Sequence, residues 1–290
     1  MSPLATLTAF GLVLAIALGG GAAAGSLAGP IDVGDGDAGH EATEVASPAL
    51  PAGGLLVAQD GLRLVPDATV AHRGPFTFRI VGDDDRTVTD YVEQHERYMH
   101  LIVASRDLRT FHHLHPTKGS DGRWRVELPE LAPGAYRAFA DFQAAGSEPV
   151  TLGVDLVVPG RTTAPEAPVQ TRRHVADGYD VRLDGDLVAG TDAELAITVR
   201  RNGAVVATEP YLGAGGHLVA LRDGDLAFLH VHPLEEGSDG PVRFAVEVPS
   251  EGTYALFFDF LHDGEVRTAR FVVDADRTEQ APATSDDDRH

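Results

Sequence analysis

From about residue 54 onward, apolar residues come in short runs rich in Val, Ile, Leu, Phe and Tyr, broken by clusters of Gly, Asp and Pro. The runs predict strands over Pro75 to Val81, Met99 to Ala104, Phe111 to His115, Trp124 to Leu128, Tyr136 to Phe142 and Thr151 to Val158. Gly82-Asp83-Asp84, Gly119-Ser120-Asp121-Gly122 and Ala132-Pro133-Gly134 mark turns between them. No stretch of useful length repeats its apolar positions at helical spacing. Short, evenly spaced strands of this kind predict a β-sandwich.

The pattern occurs twice. The block Tyr98 to Pro116 (Tyr-Met-His-Leu-Ile-Val-Ala-Ser-Arg-Asp-Leu-Arg-Thr-Phe-His-His-Leu-His-Pro) aligns with Gly215 to Pro233 (Gly-Gly-His-Leu-Val-Ala-Leu-Arg-Asp-Gly-Asp-Leu-Ala-Phe-Leu-His-Val-His-Pro). His100 matches His217, His113 matches His230 and His115 matches His232, each 117 residues on. Gly134-Ala135-Tyr136 and Gly252-Thr253-Tyr254 begin matching strands, in the manner of a tyrosine corner. The fold class expected is all-β: tandem duplicated immunoglobulin-like β-sandwich domains after an N-terminal hydrophobic helix and a flexible linker. Residues 54–160 form the first repeat, 161–170 a Pro/Thr linker, 171–274 the second repeat and 275–290 an acidic disordered tail.

Ahead of the repeats, residues 1–31 carry no charged side chain, and Leu4 to Ala28 is long and apolar enough to cross a bilayer. Residues 1–28 read as a signal peptide or transmembrane anchor, and 29–53 as an acidic flexible linker. This places the repeats on the extracytoplasmic face of the cell membrane, or secreted if the segment is cleaved. The chain carries 44 acidic against 23 basic residues, a net charge of −21, which argues against nucleic acid as a partner. It has no cysteine and two methionines. Disulfides, thiolate metal sites and Met-rich copper(I) sites are excluded.

Three ligand-capable residues kept in two otherwise diverged copies point to metal. His113 and His115 are two apart on a strand and leave the same face. His112 points the other way, and Leu229 takes its place in the second copy. A tight turn at Asp107-Leu108 sets His100 across from His115, with His113 diagonally behind. In the second copy Asp223-Gly224-Asp225 is the turn signal, and His217 pairs with either His230 or His232 according to its register. Three imidazoles so placed can converge on one ion at about 2.0–2.1 Å.

Asp141 and Asp259 match within apolar strands, where a carboxylate is costly unless paired or ligated. Each is a fourth ligand or orients a histidine through its second nitrogen. His262 and Met99 are unmatched, and Arg106-Asp107 and Arg222-Asp223 read as local ion pairs at the hairpins. The structural alternative is histidines that end strands and bond backbone carbonyls. Imidazole-rich sites suit copper, with zinc the competitor. No nucleophile elbow, phosphate loop or separate general base points to an enzyme.

These motifs, with Ala-Tyr-Arg-Ala-Phe-Ala-Asp-Phe at 135–142, resemble a family of actinobacterial membrane-anchored or secreted proteins described as heavy-metal-binding and associated with copper handling. The likeness spans nearly the whole chain. Relatives carry more histidine in the linker, where this chain has His40 alone. The resemblance implies an extracytoplasmic protein that binds a transition metal for homeostasis or delivery, with another envelope metal-handling protein as partner. The expectation is one His-rich site per repeat. The rival expectation is a tandem adhesion or scaffold protein.

Overall fold

The computed structural model describes residues 52–71, 74–162, 164, 167–229, 231–234 and 240–277. The N-terminal hydrophobic segment, most of the acidic linker, the C-terminal tail and His230 lie outside them. All regular structure among the described residues is β, and no helix there is long and apolar enough to cross a membrane.

In the first repeat the strands are β1 (Ala58–Gln59), β2 (Leu62–Pro66), β3 (Pro75–Val81), β4 (Tyr91–Val92), β5 (His100–Ser105), β6 (Phe111–Leu114), β7 (Thr117–Lys118), β8 (Trp124–Glu127), β9 (Gly134–Ala144) and β10 (Val150–Val158). One sheet runs β1-β2-β3-β8-β7 and the other β10-β9-β5-β6, with β4 added to β9. In immunoglobulin letters, β2, β3, β8 and β7 are A, B, E and D; β5, β9 and β10 are C, F and G, and β6 is C′.

The second repeat contains β11 (Arg173–Ala176), β12 (Tyr179–Asp184), β13 (Leu187–Ala189), β14 (Thr191–Arg201), β15 (Ala204–Val205), β16 (His217–Arg222), β17 (Phe228–Leu229), β18 (Val231–Pro233), β19 (Val242–Val248), β20 (Gly252–His262) and β21 (Glu265–Arg277). Its sheets, β11-β12-β14-β19-β18 and β13-β21-β20-β16-β17, repeat the same order. Both tyrosine corners are present. Tyr136 Oη donates to the Ala132 carbonyl at 2.8 Å, and Tyr254 Oη to the Ser250 carbonyl at 2.9 Å. Four residues separate donor and acceptor each time.

Each sandwich has its own core. The first packs Phe78, Ile80, Leu101, Trp124, Ala140 and Leu152 between its sheets. The second packs Leu195, Ile197, Phe244, Leu256, Phe258 and Phe271. A third core lies between the repeats and is built from both. The C, F and G sheets turn their outer faces to each other, so Ile102, Ala104 and Phe139 pack with Val219, Leu221 and Phe257. Every residue of β5 is therefore buried, although alternate side chains point to opposite faces. An apolar run with no polar alternation is what a strand buried on both faces requires.

The two hairpins differ in one consequential way. In the first, Ile102 opposes His113 and Ala104 opposes Phe111, a register centred between Asp107 and Leu108. In the second, Ala220 opposes Leu229 and Leu221 opposes Phe228, which centres the turn on Gly224-Asp225. Extended, this register sets His217 across from His232. The chain crosses to the opposite sheet first, however. β18 pairs with β19, and His232 opposes Ala245. In the first repeat the crossing follows His115, with β7 pairing β8.

The hairpin arginines bond elsewhere than expected: Arg106 reaches Asp155 at 2.6 Å, and Arg222 Nε reaches Asp225 at 3.0 Å. Asp107 instead accepts from the Ser105 hydroxyl.

A histidine cluster between the repeats

The polar end of the third core is a cluster of imidazoles. His100 opens β5 and opposes Asp141, as His217 opens β16 and opposes Asp259. His113 and His115 come from the adjoining hairpin arm, on the face the strand parity predicts. One ligand nitrogen from each of His100, His113 and His115 lies within 4.8 Å of the others. His217 joins from the second repeat, its ring centroid 5.7 Å from that of His100 and 5.6 Å from that of His113. His95 lies beside both His217 and His100, its ring centroid 4.9 Å from that of His217 and 6.2 Å from that of His100.

The hydrogen bonds fix the tautomers. A carbonyl can only accept, so His100 Nε2 donates to Gln94 O, 3.1 Å away. A carboxylate likewise accepts, so His113 Nδ1 donates to Asp259 Oδ2 at 3.0 Å. This second bond joins the repeats, and its side chains are 4% and 3% exposed. The other oxygen of Asp259 accepts from the Thr268 hydroxyl at 2.5 Å. Its counterpart Asp141 accepts from Thr151 at 2.8 Å and lines the same cavity as the histidines.

With those hydrogens placed, His100 Nδ1 and His113 Nε2 face each other at 2.9 Å as two lone-pair atoms. That arrangement is repulsive unless a positive charge lies between them, either a second proton on His113, whose other nitrogen faces the Asp259 carboxylate, or a metal ion. An extra proton is poorly placed to supply it on His100. Burial, then the neighbouring His113, pushes that imidazole down to about 2. Burial also lowers His115 to about 4 and His217 to about 3. The buried Nε2 of His115 has no hydrogen-bond partner. A cation accepting lone pairs from neutral imidazoles resolves both features.

The same backbone device holds both leading histidines. Gln94–Arg97 and Tyr211–Ala214 are matching tight turns. Their central residues have positive φ: His95 49° and Glu96 61°, Leu212 54° and Gly213 78°. This is the signature of a type I′ turn. Each turn aims a carbonyl at the following histidine, Gln94 O at His100 and Leu212 O at His217, the latter 3.4 Å away. The sequence did not flag His95. The Gly213 of the matching turn was the available signal.

The expected sites are thus brought together unevenly. His100, His113 and His115 meet, and His217 of the second repeat stands beside them. Asp259 orients a histidine of the first repeat, not of its own. Exposed His232 lines the adjoining cavity of about 260 Å³, together with His95, Asp141 and His217. His230 lies outside the described residues. His262 is bonded to the Tyr179 hydroxyl at 2.8 Å, away from the ring contacts of the cluster. Met99 is 1% exposed in the first core and is no ligand.

No curated protein matches the chain. Among solved structures, the D0-D1 domain of intimin is 11% identical with a TM-score of 0.23, covering 73% of this chain and 97% of that one. The Ig1-2 module of the Drosophila receptor protein tyrosine phosphatase DLAR is 8% identical with a TM-score of 0.21, covering 75% and 98%. Domains 4 and 5 of the S-layer protein SbsC are 12% identical with a TM-score of 0.22, covering 76% and 99%. At these scores the immunoglobulin-like assignment rests on strand order and the tyrosine corners. Residues 58–158 and 173–277 each match a domain of unknown function, DUF8832. The chain therefore belongs to the DUF8832 family and carries its domain twice.

Proposed function

We propose that this protein binds a transition-metal ion, copper in preference to zinc, through His100, His113 and His115. The observation that carries the reading is the pair of lone-pair nitrogens 2.9 Å apart, each held in that tautomer by an acceptor on its far side. Metal-bound histidines in general commit the second nitrogen in this way. Two nitrogens about 2.0–2.1 Å from one ion and 2.9 Å apart subtend about 90° at it, the angle of neighbouring ligands in a tetragonal site. Tetrahedral zinc prefers a wider separation, whereas Cu(II) suits tetragonal nitrogen ligation.

In this reading the residues before the repeats tether them to the outer face of the membrane or export them. The protein buffers copper there or passes it to another envelope metal-handling protein. The long apolar run of Leu4 to Ala28 supports the tether.

The test is titration of the full chain with Cu(II), Cu(I) and Zn(II) against a competing chelator, beside His113→Ala and His115→Ala. Tight binding of Cu(II) by the wild type, abolished in both variants with the fold intact, is the expected result. A folded wild type that binds none of the three ions overturns the reading. A tandem scaffold with structural histidines then replaces it.

A further inference from the structure

We infer that the ion is a clamp between the two repeats, its site completed by His217 and held in shape by Asp259, so that metal binding and repeat docking form one equilibrium. The inference rests on the metal reading above.

Three observations carry it. First, the carboxylate that orients a first-repeat ligand belongs to the second repeat. Asp259 Oδ1 is held by Thr268 of its own sandwich, and Oδ2 crosses to His113 at 3.0 Å. Second, His217 is the second-repeat imidazole that borders the three, although its nitrogens lie outside the set that falls within 4.8 Å of one another. Its ring lies beside both His100 and His113. The Leu212 carbonyl takes its Nε2 hydrogen and leaves Nδ1 as the lone-pair atom, as Gln94 does for His100. Third, the cluster continues the apolar junction on the same sheet faces. Ile102 opposes His113 in the hairpin and packs in the shared core with Val219, two residues from His217.

A site assembled from two bodies is complete only while they are docked. An ion that prefers the complete site therefore stabilises the docked arrangement by mass action. Removing the orienting carboxylate leaves the ligands in place but less basic and less well aimed. Outer partners of metal-bound histidine typically alter affinity by about 10–100-fold. Asp259 is thus a positioning residue, and His217 a ligand.

The experiment uses the full chain with Cu(II) and Zn(II) as probes. Affinity, stoichiometry and the Cu(II) electron paramagnetic resonance spectrum are recorded for wild type, His217→Ala, Asp259→Asn and Asp259→Glu. Amide exchange of the wild type is followed with and without ion. The clamp predicts one ion shared by the repeats. His217→Ala loses one nitrogen from the Cu(II) spectrum and binds more weakly than the wild type. Asp259→Asn weakens binding with the nitrogen count unchanged, and Asp259→Glu recovers part of the loss. Bound ion slows exchange in both Ile102–Ala104 and Val219–Leu221. Wild-type affinity and spectrum in His217→Ala, with protection confined to the first repeat, overturn the clamp and leave the metal reading standing. Should Asp259→Asn fail to fold, His217→Ala and wild-type exchange still decide. Absence of any binding by wild type overturns both.

Discussion

Phe111 stacks on Phe257 across the repeat junction, ring centroids 4.2 Å apart and planes within 5°. Their counterparts also meet across it: Phe228 lies 5.7 Å from Phe139. Each repeat thus gives the same two rings, exchanged in role. Phe257 is 2% exposed, so Phe257→Ala is expected to cost about 3–5 kcal/mol, the range for a buried ring. Phe111 is only partly buried and costs less. Urea denaturation measures both, and two neutral variants would mean the junction contributes no core.

The buried histidines tie stability to pH in the metal-free protein. Burial holds His100 at about 2, His217 at about 3 and His115 at about 4, against about 6.5 in an unfolded chain. Below 6.5 the unfolded chain takes up protons that the folded one refuses. Stability from this source is whole above pH 6.5 and drains away as pH falls toward the folded values. Denaturation midpoints in chelator should drop between pH 7.5 and 5. Replacing His100, His115 and His217 together should flatten that slope, and an unchanged slope would assign it to other groups.

Removing one tyrosine-corner hydroxyl, by Tyr136→Phe or Tyr254→Phe, deletes one hydrogen bond to a backbone carbonyl at the start of the F strand. Each is expected to cost about 0.5–1.5 kcal/mol. Tyr254 is 0% exposed, and Ser250 Oγ stands 3.2 Å from its hydroxyl. Its loss should be the larger, read from melting curves with unchanged metal binding.

The repeats balance volume differently beside the leading histidines. A Cβ on Gly216 would fall 2.4 Å from the Phe258 ring and 2.8 Å from the Asp259 carbonyl. The first repeat has the inverse pair, Met99 and Ala140, both buried in its core. Gly216→Met is expected to destabilise by about 1–3 kcal/mol as an overpacked site. Phe258→Ala in the same chain should return part of that loss. Additive effects in the double-mutant cycle would show that the two positions do not share space.

Much of this was legible because it is local. The run Pro75–Val81 is a strand end to end. The turn centred at Asp107-Leu108 and the period of two placed His100, His113 and His115 on one face. What covers the outer face of β5 was not legible, since the unbroken run His-Leu-Ile-Val-Ala-Ser fits burial on both faces but does not say against what. Docking of the repeats depends on pairs far apart in sequence, such as Phe111 and Phe257, so each histidine set was read with its own repeat. The sheet change before Val231 also moves His232 out of the place that matching spacing assigns. His95 was hidden because its left-handed turn carries neither glycine nor asparagine.

The exchanged Phe pairs have a consequence for how such a protein arises. A junction in which residue i meets j and j meets i is the mark of an isologous homodimer. The tandem chain is in effect a dimer whose subunits have been fused. Identical subunits must present the same residues on both sides of their axis. Fusion removes that constraint, and the difference is visible where His95 faces the cluster from one turn and Leu212 holds the matching place in the other. An asymmetric histidine pocket at a near-symmetric interface is something a duplicated gene can evolve and a true homodimer cannot.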